Sequence, residues 1–515
     1  MPSLKSYFAK LFAAKIARKI NAWAQNPLQT QERVFKTLIK SASQTAFGKD
    51  HAFSQIKTHD DFVSRVPIRD YEALKPYVER VVNGESDILW SGKPLYFAKT
   101  SGTTSGAKYI PITDVSIKAQ VEASRNAVLM YIHETGKSDF VDGQWIFLQG
   151  SPVLSEKKGI KTGRLSGISA HYVPSYLLKN RMPSWETNCI EDWETKVDAI
   201  VEETLTKDMR AVAGIPSWVQ MYFEKLVQKR QQKVGVIFKN LELFIFGGVN
   251  YEPYRNKFEA LIGRKIDSVE LYPASEGFFA FQDRQNKIGM LLQLDSGIFY
   301  EFIEADRFFD KNPKRITLNN VKLGVNYVII ISTNAGLWAY NIGDTVKFTS
   351  LFPFRVVVSG RIKHFISAFG EHVIAQEVDQ ALIQAVKGTS VRVTEFTVAP
   401  QINPIVGLPY HEWLVEFEAP PNDLELFANT IDKELQNQNS YYFDLIKGKV
   451  LQPLKISLVK QGGFKDYMKT IGKLGGQNKT PRLSNDRKIA SHFHSKSLIK
   501  SVSYTHLRAH ETSQH

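Results

Sequence analysis

The sequence predicts an α/β protein with a large amino-terminal domain of mixed sheets and helices and a small α+β carboxyl-terminal domain. Three observations carry this. The chain has 515 residues, more than one hydrophobic core normally organises, so at least two domains are expected. Up to Gly360, short apolar runs of strand character alternate with amphipathic helical stretches. Beyond Gly360 a compact helix–strand–strand–helix pattern follows, of the size of one small domain.

Composition sets the limits. Hydrophobic residues make up 43% and aromatic residues 12% of the chain, as in a soluble globular protein with a large core. The formal net charge is +14, spread along the chain, and no nucleic-acid-binding module accompanies it. That favours anionic small substrates, or simple surface basicity, over a nucleic-acid partner. The one cysteine, Cys189, excludes a disulfide framework and a thiolate metal site, and points to a reducing, cytoplasmic location. The start, MPSLKSYFAKLFAAKIARKI, is basic without a cleavage site. It reads as a helix whose Phe8, Phe12, Ile16 and Ile20 line one face, docked on the protein's own core in preference to a membrane surface. No apolar run approaches the ~20 residues of a membrane span. The expected state is a monomer.

The remaining elements follow in order. Helices are expected over Gln31–Phe47, with Val34, Leu38 and Ile39 inward, and over Tyr71–Val82, closed by Asn83-Gly84. Another covers Asp114–Thr135. Trp145–Leu148 reads as a buried strand, and Gly150–Pro183 as long loops able to line a substrate pocket. Helices at Trp193–Leu205 and Ser217–Lys229 flank a strand at Ala211–Ile215. Leu241–Phe246 is a strand ending in Gly247-Gly248, the kind of place where α/β sheets admit ligands. Val269–Leu271, Asn326–Ser332 and Arg355–Val358 are further strands. In the last domain, helix Ala375–Val386 precedes strands Val391–Val398 and Trp413–Phe417 and helix Asp423–Gln436.

The stretch YFAKTSGTTSGAKYIPIT, Tyr96–Thr113, carries the chemistry. Gly102 and Gly106 permit φ > 0 and close approach to a ligand. Successive N–H groups in such a turn form an anion-binding concavity. Ser101, Thr103, Thr104 and Ser105 add hydroxyl donors, and Lys108 adds positive charge. The stretch is not a Walker loop, because Gly-Lys-Ser/Thr is missing. Alone it reads as a surface turn. Two carboxylates change that. Glu276, in Tyr272-Pro273-Ala274-Ser275-Glu276-Gly277, stands at a strand-to-loop junction where it can hold Mg²⁺ against phosphate oxygens; alone, Ser275 with Glu276 reads as a helix cap. Asp344, in Tyr340-Asn341-Ile342-Gly343-Asp344, follows a strand and can accept from the two hydroxyls of a ribose; alone it is a turn residue.

In this order, T-S-G-T-T-S-G, Y-x-x-S-E-G, Y-x-x-G-D and the G-R-I-K-H-F-I-S-A-F-G-E run from Gly360 resemble the adenylate-forming superfamily. More narrowly, with T-A-F-G-K-D-H at Thr45–His51, P-I-R-D-Y-E from Pro67 and G-G-Q-N-K-T-P-R-L from Gly475, the chain resembles the Gretchen Hagen (auxin-responsive) family of acyl acid amido synthetases, from about Gln31 to about Arg487. The resemblance implies a site residue by residue. Ser101, Gly102, Thr103, Thr104 and Ser105 would hold the phosphates of ATP, supported by Lys108. Tyr272 and Ser275 would line the nucleotide site. Glu276 would be the Mg²⁺ carboxylate, Asp344 the ribose acceptor, and Arg361 a further nucleotide contact. Gly360, Arg361 and Lys363 would form the hinge of a mobile small domain, and Lys479 the catalytic lysine it carries, with Lys473 and Lys469 as near alternatives. Domains would span residues 1–359 and 360–500, with 501–515 a non-native or disordered tail.

The implied reaction has two halves. A carboxylic acid attacks the α-phosphorus of ATP and releases pyrophosphate; the amine of an amino acid then attacks the acyl-adenylate and releases AMP. Bringing two anions together needs charge neutralisation, and the mixed anhydride must be kept from water. Two rival readings stand beside this one: an acyl-CoA ligase, sharing the first half-reaction, and a nucleotide-binding non-enzyme. Trp145–Tyr176 and Val212–Trp218 are the expected lining of a pocket for an aromatic or apolar acid.

Overall fold

The computed structural model describes residues 3–101, 107–173, 179–248, 251–362, 365–366, 373–447, 450–472, 474, 480–484 and 486–500. The chain divides into two compact units, the larger built mainly from residues up to Lys363 and the smaller mainly from those after it.

The large unit is organised by an eleven-stranded mixed sheet. In spatial order its strands are Ile298–Glu304, Asn326–Thr333, Tyr340–Leu351, Phe354–Arg361, Met290–Leu292, Gly277–Phe281, Asp267–Ala274, Leu243–Gly247, Met209–Gly214, Gln144–Leu148 and Arg181–Met182. From Asp267–Ala274 to the Arg181–Met182 edge neighbouring strands are parallel, and on the other side they are antiparallel. The parallel half is covered on both faces, which explains its unbroken apolar runs. Leu243 and Ile245 enter one core, while Phe244 and Phe246 enter another against helices Trp193–Thr204, Pro216–Arg230 and Glu252–Ile262. A second sheet of the unit joins Ala107–Ile112, Tyr96–Ser101, Ile160–Gly163 and Ser155–Lys157.

Four sequence expectations are corrected. The first helix, Leu4–Ala24, buries Ala13, Ile16, Ala17 and Ile20, but Phe8 is 58% and Phe12 40% exposed. The buried stripe follows the 3.6-residue period, and a strict spacing of four drifts off it. The helix expected over Gln31–Phe47 is two, Pro27–Ala42 and Ala46–Asp50. Thr45 caps the second by accepting from the N–H of Gly48 at 3.0 Å, and the fold back is tight: a Cβ on Gly48 would lie 2.1 Å from the Ala42 carbonyl oxygen. The region read as long loops holds strands Ser155–Lys157 and Ile160–Gly163 and helix Leu165–Ala170. Asp344 does not follow a strand; it lies inside Tyr340–Leu351, because Gly343, at φ +86°, bulges the chain without ending the pairing.

The small unit has an antiparallel pair, Arg392–Gln401 with Tyr410–Ala419, to which Lys455–Val459 adds in parallel. Helices Ala375–Val386 and Leu424–Gln438 supply Val378, Leu382, Ile431 and Leu435 to its core. Glu412 collects Arg487 at 2.6 Å and His494 at 2.7 Å.

Candidate active site at the carboxyl edge of the central sheet

The parallel strands end together, each delivering a junction to one edge: Gly150 after Leu148, then Gly214, Gly247 and Ser275. Ligands of open α/β sheets bind at such edges. Asp267–Ala274 turns through Ser275-Glu276 and returns as Gly277–Phe281, with Ala274 paired to Gly277. Ser275 is therefore the first residue of a hairpin turn and caps no helix. Gly277 packs closely there: a Cβ would meet Ile298 Cδ1 at 2.6 Å and displace that side chain.

Asp344 is the centre of the hydrogen bonding. It stands opposite Arg361 on the neighbouring antiparallel strand, with Arg361 Nε 2.9 Å from Oδ1. The Tyr272 hydroxyl donates to Oδ2 at 2.7 Å. A carboxylate offers about four lone-pair positions, so both Asp344 oxygens retain capacity for a ligand's hydroxyls. Asp344 holds the Arg361 guanidinium above its ordinary pKa. Burial, with Asp344 adding to it, holds the Tyr272 hydroxyl well above the usual tyrosine range. Both partners thus remain donors.

Glu276 lies within electrostatic reach of Arg361, Asp344 and Lys108. Burial raises its pKa and Asp344 adds to the rise; its own backbone N–H, Arg361 and Lys108 offset it only in part. A desolvated carboxylate of this kind is stabilised by a cation. It fits Mg²⁺, which takes one or two protein carboxylates and draws its other ligands from water and substrate phosphates. Among the described residues no cluster of three or more His, Cys, Asp or Glu could hold a metal by itself.

The structure also gives the early sequence patterns a place. His51, from T-A-F-G-K-D-H, meets Arg69, from P-I-R-D-Y-E: His51 Nε2 and Arg69 Nη2 are 2.8 Å apart. Arg69 stacks over Phe47 at 5.1 Å. Its backbone N–H donates to the Ala339 carbonyl and its carbonyl accepts from Asn341, at 3.0 and 2.8 Å, clamping the start of the Asp344 strand. Tyr71 accepts from the N–H of Tyr109 at 2.9 Å, and Lys108 lies 5.5 Å from the Tyr71 ring. Sequence reasoning missed Tyr71 and the His51–Arg69 pair beside this site, although all three lie in the quoted patterns.

Of the sequence-derived site, Lys108, Tyr272, Ser275, Glu276, Asp344 and Arg361 belong to this unit around one edge. Ser101 ends the strand Tyr96–Ser101. Gly360 pairs with Thr345 inside the strand Phe354–Arg361. Gly102, Thr103, Thr104, Ser105, Lys363, Lys473 and Lys479, and the tail 501–515, lie outside the described residues.

Solved structures place the fold in a class. The chain resembles the 2-hydroxyisobutyryl-CoA ligase in its post-adenylation state, with a TM-score of 0.58, 15% identity and 91% of each chain covered. It resembles the GH3.15 acyl acid amido synthetase more fully, with a TM-score of 0.78, 15% identity, and 95% and 97% of the two chains covered. The chain shares the fold class of these two enzymes. Within that class, residues 16–188, 291–361 and 376–488 match the N-terminal, central and C-terminal domains of the GH3 family. The indole-3-acetic acid-amido synthetase GH3.2 of Arabidopsis thaliana is 30% identical over 65% of this chain and 74% of its own. GH3.3 of the same plant is 22% identical over 96% of both chains. The jasmonoyl–L-amino acid synthetase JAR4 of Nicotiana attenuata is 21% identical over 88% and 90%. The chain belongs to the GH3 family.

Proposed function

We propose that this protein is an ATP-dependent acyl acid amido synthetase. The observation that carries the proposal is the Glu276–Asp344–Arg361–Tyr272 constellation, at one sheet edge, in a chain of the GH3 family. The curated relatives named above are amido synthetases, which favours an amine over coenzyme A as acceptor. A retained fold without activity would have no need of a half-buried Glu276 within reach of Lys108 and Arg361.

In this reading Asp344 accepts from the ribose hydroxyls, and Tyr272 and Ser275 line the nucleotide. Ser101, Gly102, Thr103, Thr104 and Ser105 donate to the phosphates, with Lys108 behind them. Glu276 is the Mg²⁺ carboxylate; the ion supplies charge neutralisation on the phosphates. One oxygen of the acid forms a bond to the α-phosphorus as the bond to the β-phosphate oxygen breaks. The amino acid nitrogen, having lost its proton, then bonds to the acyl carbon and AMP leaves. Holding the reactants in line contributes up to ~7–11 kcal/mol. Lys479 approaches the phosphates from a domain of residues 360–500 that swings about Gly360, Arg361 and Lys363 against residues 1–359. The protein acts as a cytoplasmic monomer. No helix among the described residues is long and apolar enough to cross a membrane.

The test is pyrophosphate release from MgATP across a panel of carboxylic acids, with and without mixed amino acids, followed by mass spectrometry. Acid-dependent release with an N-acyl amino acid product is expected. A product formed only with coenzyme A would assign a ligase instead.

A further inference from the structure

The carboxyl end of Gln144–Leu148 faces a second polar cluster that the reaction above does not use. Lys196, in the helix Trp193–Thr204, is 2% exposed. Its Nζ donates to the Asn188 backbone carbonyl at 2.5 Å. The ionisable groups acting on it are Cys189, Arg164 and Arg181; no carboxylate is among them. Burial first, with the two arginines adding, pushes its pKa down to about 8. Arg181 donates from Nη1 to the Ala170 carbonyl at 3.0 Å, while its Nε is buried without a partner.

Neighbouring polar atoms are in the same condition. Gln149 Nε2, Ser166 Oγ and both side-chain polar atoms of Asn188 are buried and unpartnered, and Asn188 is only 1% exposed. These residues form one cluster. Gly150 abuts Arg164 and Ser166, whose Cδ and Oγ would stand 3.3 and 3.5 Å from a Cβ there. Ser151 Oγ donates to the Cys189 carbonyl at 3.3 Å. Buried charges are ordinarily paired and buried donors ordinarily satisfied. Here two cations and several unsatisfied donors lie together, and among the described residues no carboxylate acts on Lys196; an anion with more than one oxygen would complete them.

We infer that Lys196 and Arg181, with Gln149, Ser166 and Asn188, form a carboxylate-binding subsite of the acyl-transfer site. The naming of a carboxylate rests on the synthetase reading, whose two substrates besides ATP both carry one. The subsite stands three strands from the one that delivers Glu276, or about 14 Å at ~4.8 Å per strand. That separation keeps the bound carboxylate clear of the phosphates and of Glu276. It is either a second carboxylate on the acyl acid or the carboxylate of the amino acid.

The test uses the full chain. Calorimetric titration with glutarate, L-glutamate and inorganic phosphate is compared for wild type, Lys196→Met and Lys196→Arg. Glutarate or L-glutamate should bind wild type, bind Lys196→Met ~10–100-fold more weakly, and recover with Lys196→Arg. The thermal midpoint of ligand-free Lys196→Met should not fall, since an uncompensated buried charge is removed. Asn188→Asp places a carboxylate beside Lys196; it should raise the ligand-free midpoint and abolish binding. Kinetics then identify the source. A KM rise in Lys196→Met for glutarate but not pentanoate assigns the acyl acid; one for L-alanine but not L-alaninamide, or L-glutamate but not L-glutamine, assigns the amino acid. Unchanged binding in Lys196→Met and Asn188→Asp overturns the inference, as does phosphate binding with the same dependence on Lys196. Absent pyrophosphate release with every acid would sink the synthetase reading and leave the calorimetry to judge the subsite.

Discussion

Arg361 faces Asp344 across an antiparallel pair, Nε to Oδ1 at 2.9 Å, at the last residue of its strand. The arginine side chain is 59% exposed and the aspartate 11%, so the pair itself contributes only about 0–1 kcal/mol to stability. Its value is in fixing the carboxylate with acceptor positions free. Asp344→Asn should therefore raise the KM for ATP by ~10–100-fold, the loss of a charged acceptor, while shifting the thermal midpoint little. A large midpoint drop with unchanged ATP dependence would make Asp344 structural.

Glu276 should oppose stability in the absence of nucleotide. Its folded pKa is raised by burial, so the folded state binds its proton more tightly than the unfolded chain. Stability then falls as pH rises from the unfolded carboxylate value, about 4.3, through the raised folded value. Glu276→Gln should abolish acid-dependent pyrophosphate release yet make the ligand-free protein more stable at neutral pH. The stability difference should close below about pH 4. Denaturant unfolding at pH 4 and 7.5 measures it; lower stability of the variant at both would refute the assignment.

The strands and the site were unequally legible. Leu241–Phe246 and Asn326–Ser332 announced themselves because both faces of those strands are buried, giving unbroken apolar runs. Glu276 and Asp344 were legible only through motif order, since alone each reads as an ordinary cap or turn residue. Asp344's place within a strand was hidden because Gly343 reads as a strand end when it is a bulge. The fold within Gly150–Pro183 was hidden by its glycines and serines, which there make close backbone approaches: a Cβ on Gly167 would lie 2.6 Å from the Ser151 carbonyl. The charge cluster of Arg181 and Lys196 left no local signal. Two cations fifteen residues apart become neighbours only when an edge strand and a helix pack together.

Away from the site, Glu301 is wholly buried. It pairs bidentately with Arg315, at 2.9 and 2.7 Å, and with His59 Nε2 at 2.7 Å. Burial alone would raise its pKa, but the His59 hydrogen bond and the Arg315 charge hold it below the ordinary value. The stabilisation is present above the unfolded pKa and is lost as pH falls through the folded one. Arg315→Met should cost about 3–5 kcal/mol by stranding the carboxylate, and Glu301→Gln combined with Arg315→Met should cost less than Arg315→Met alone. Urea unfolding of the two variants decides this.

Tyr71 tests whether the early motifs support the phosphate end of the site. Its ring is 5% exposed, its hydroxyl accepts the Tyr109 N–H, and its face receives the Lys108 ammonium. Tyr71→Phe keeps the ring and strands one N–H, for about 1–3 kcal/mol. Tyr71→Ala removes the ring as well, for about 3–5 kcal/mol, and releases Lys108. If the ring steers Lys108 toward the phosphates, Tyr71→Phe should lower stability with little change in ATP dependence. Tyr71→Ala, assayed below its reduced melting temperature, should raise the KM for ATP several-fold and leave the KM for the amino acid unchanged. The split matters because a merely packing role predicts that the two variants differ in stability alone. Equal ATP KM values in folded Tyr71→Phe and Tyr71→Ala would confine Tyr71 to that role.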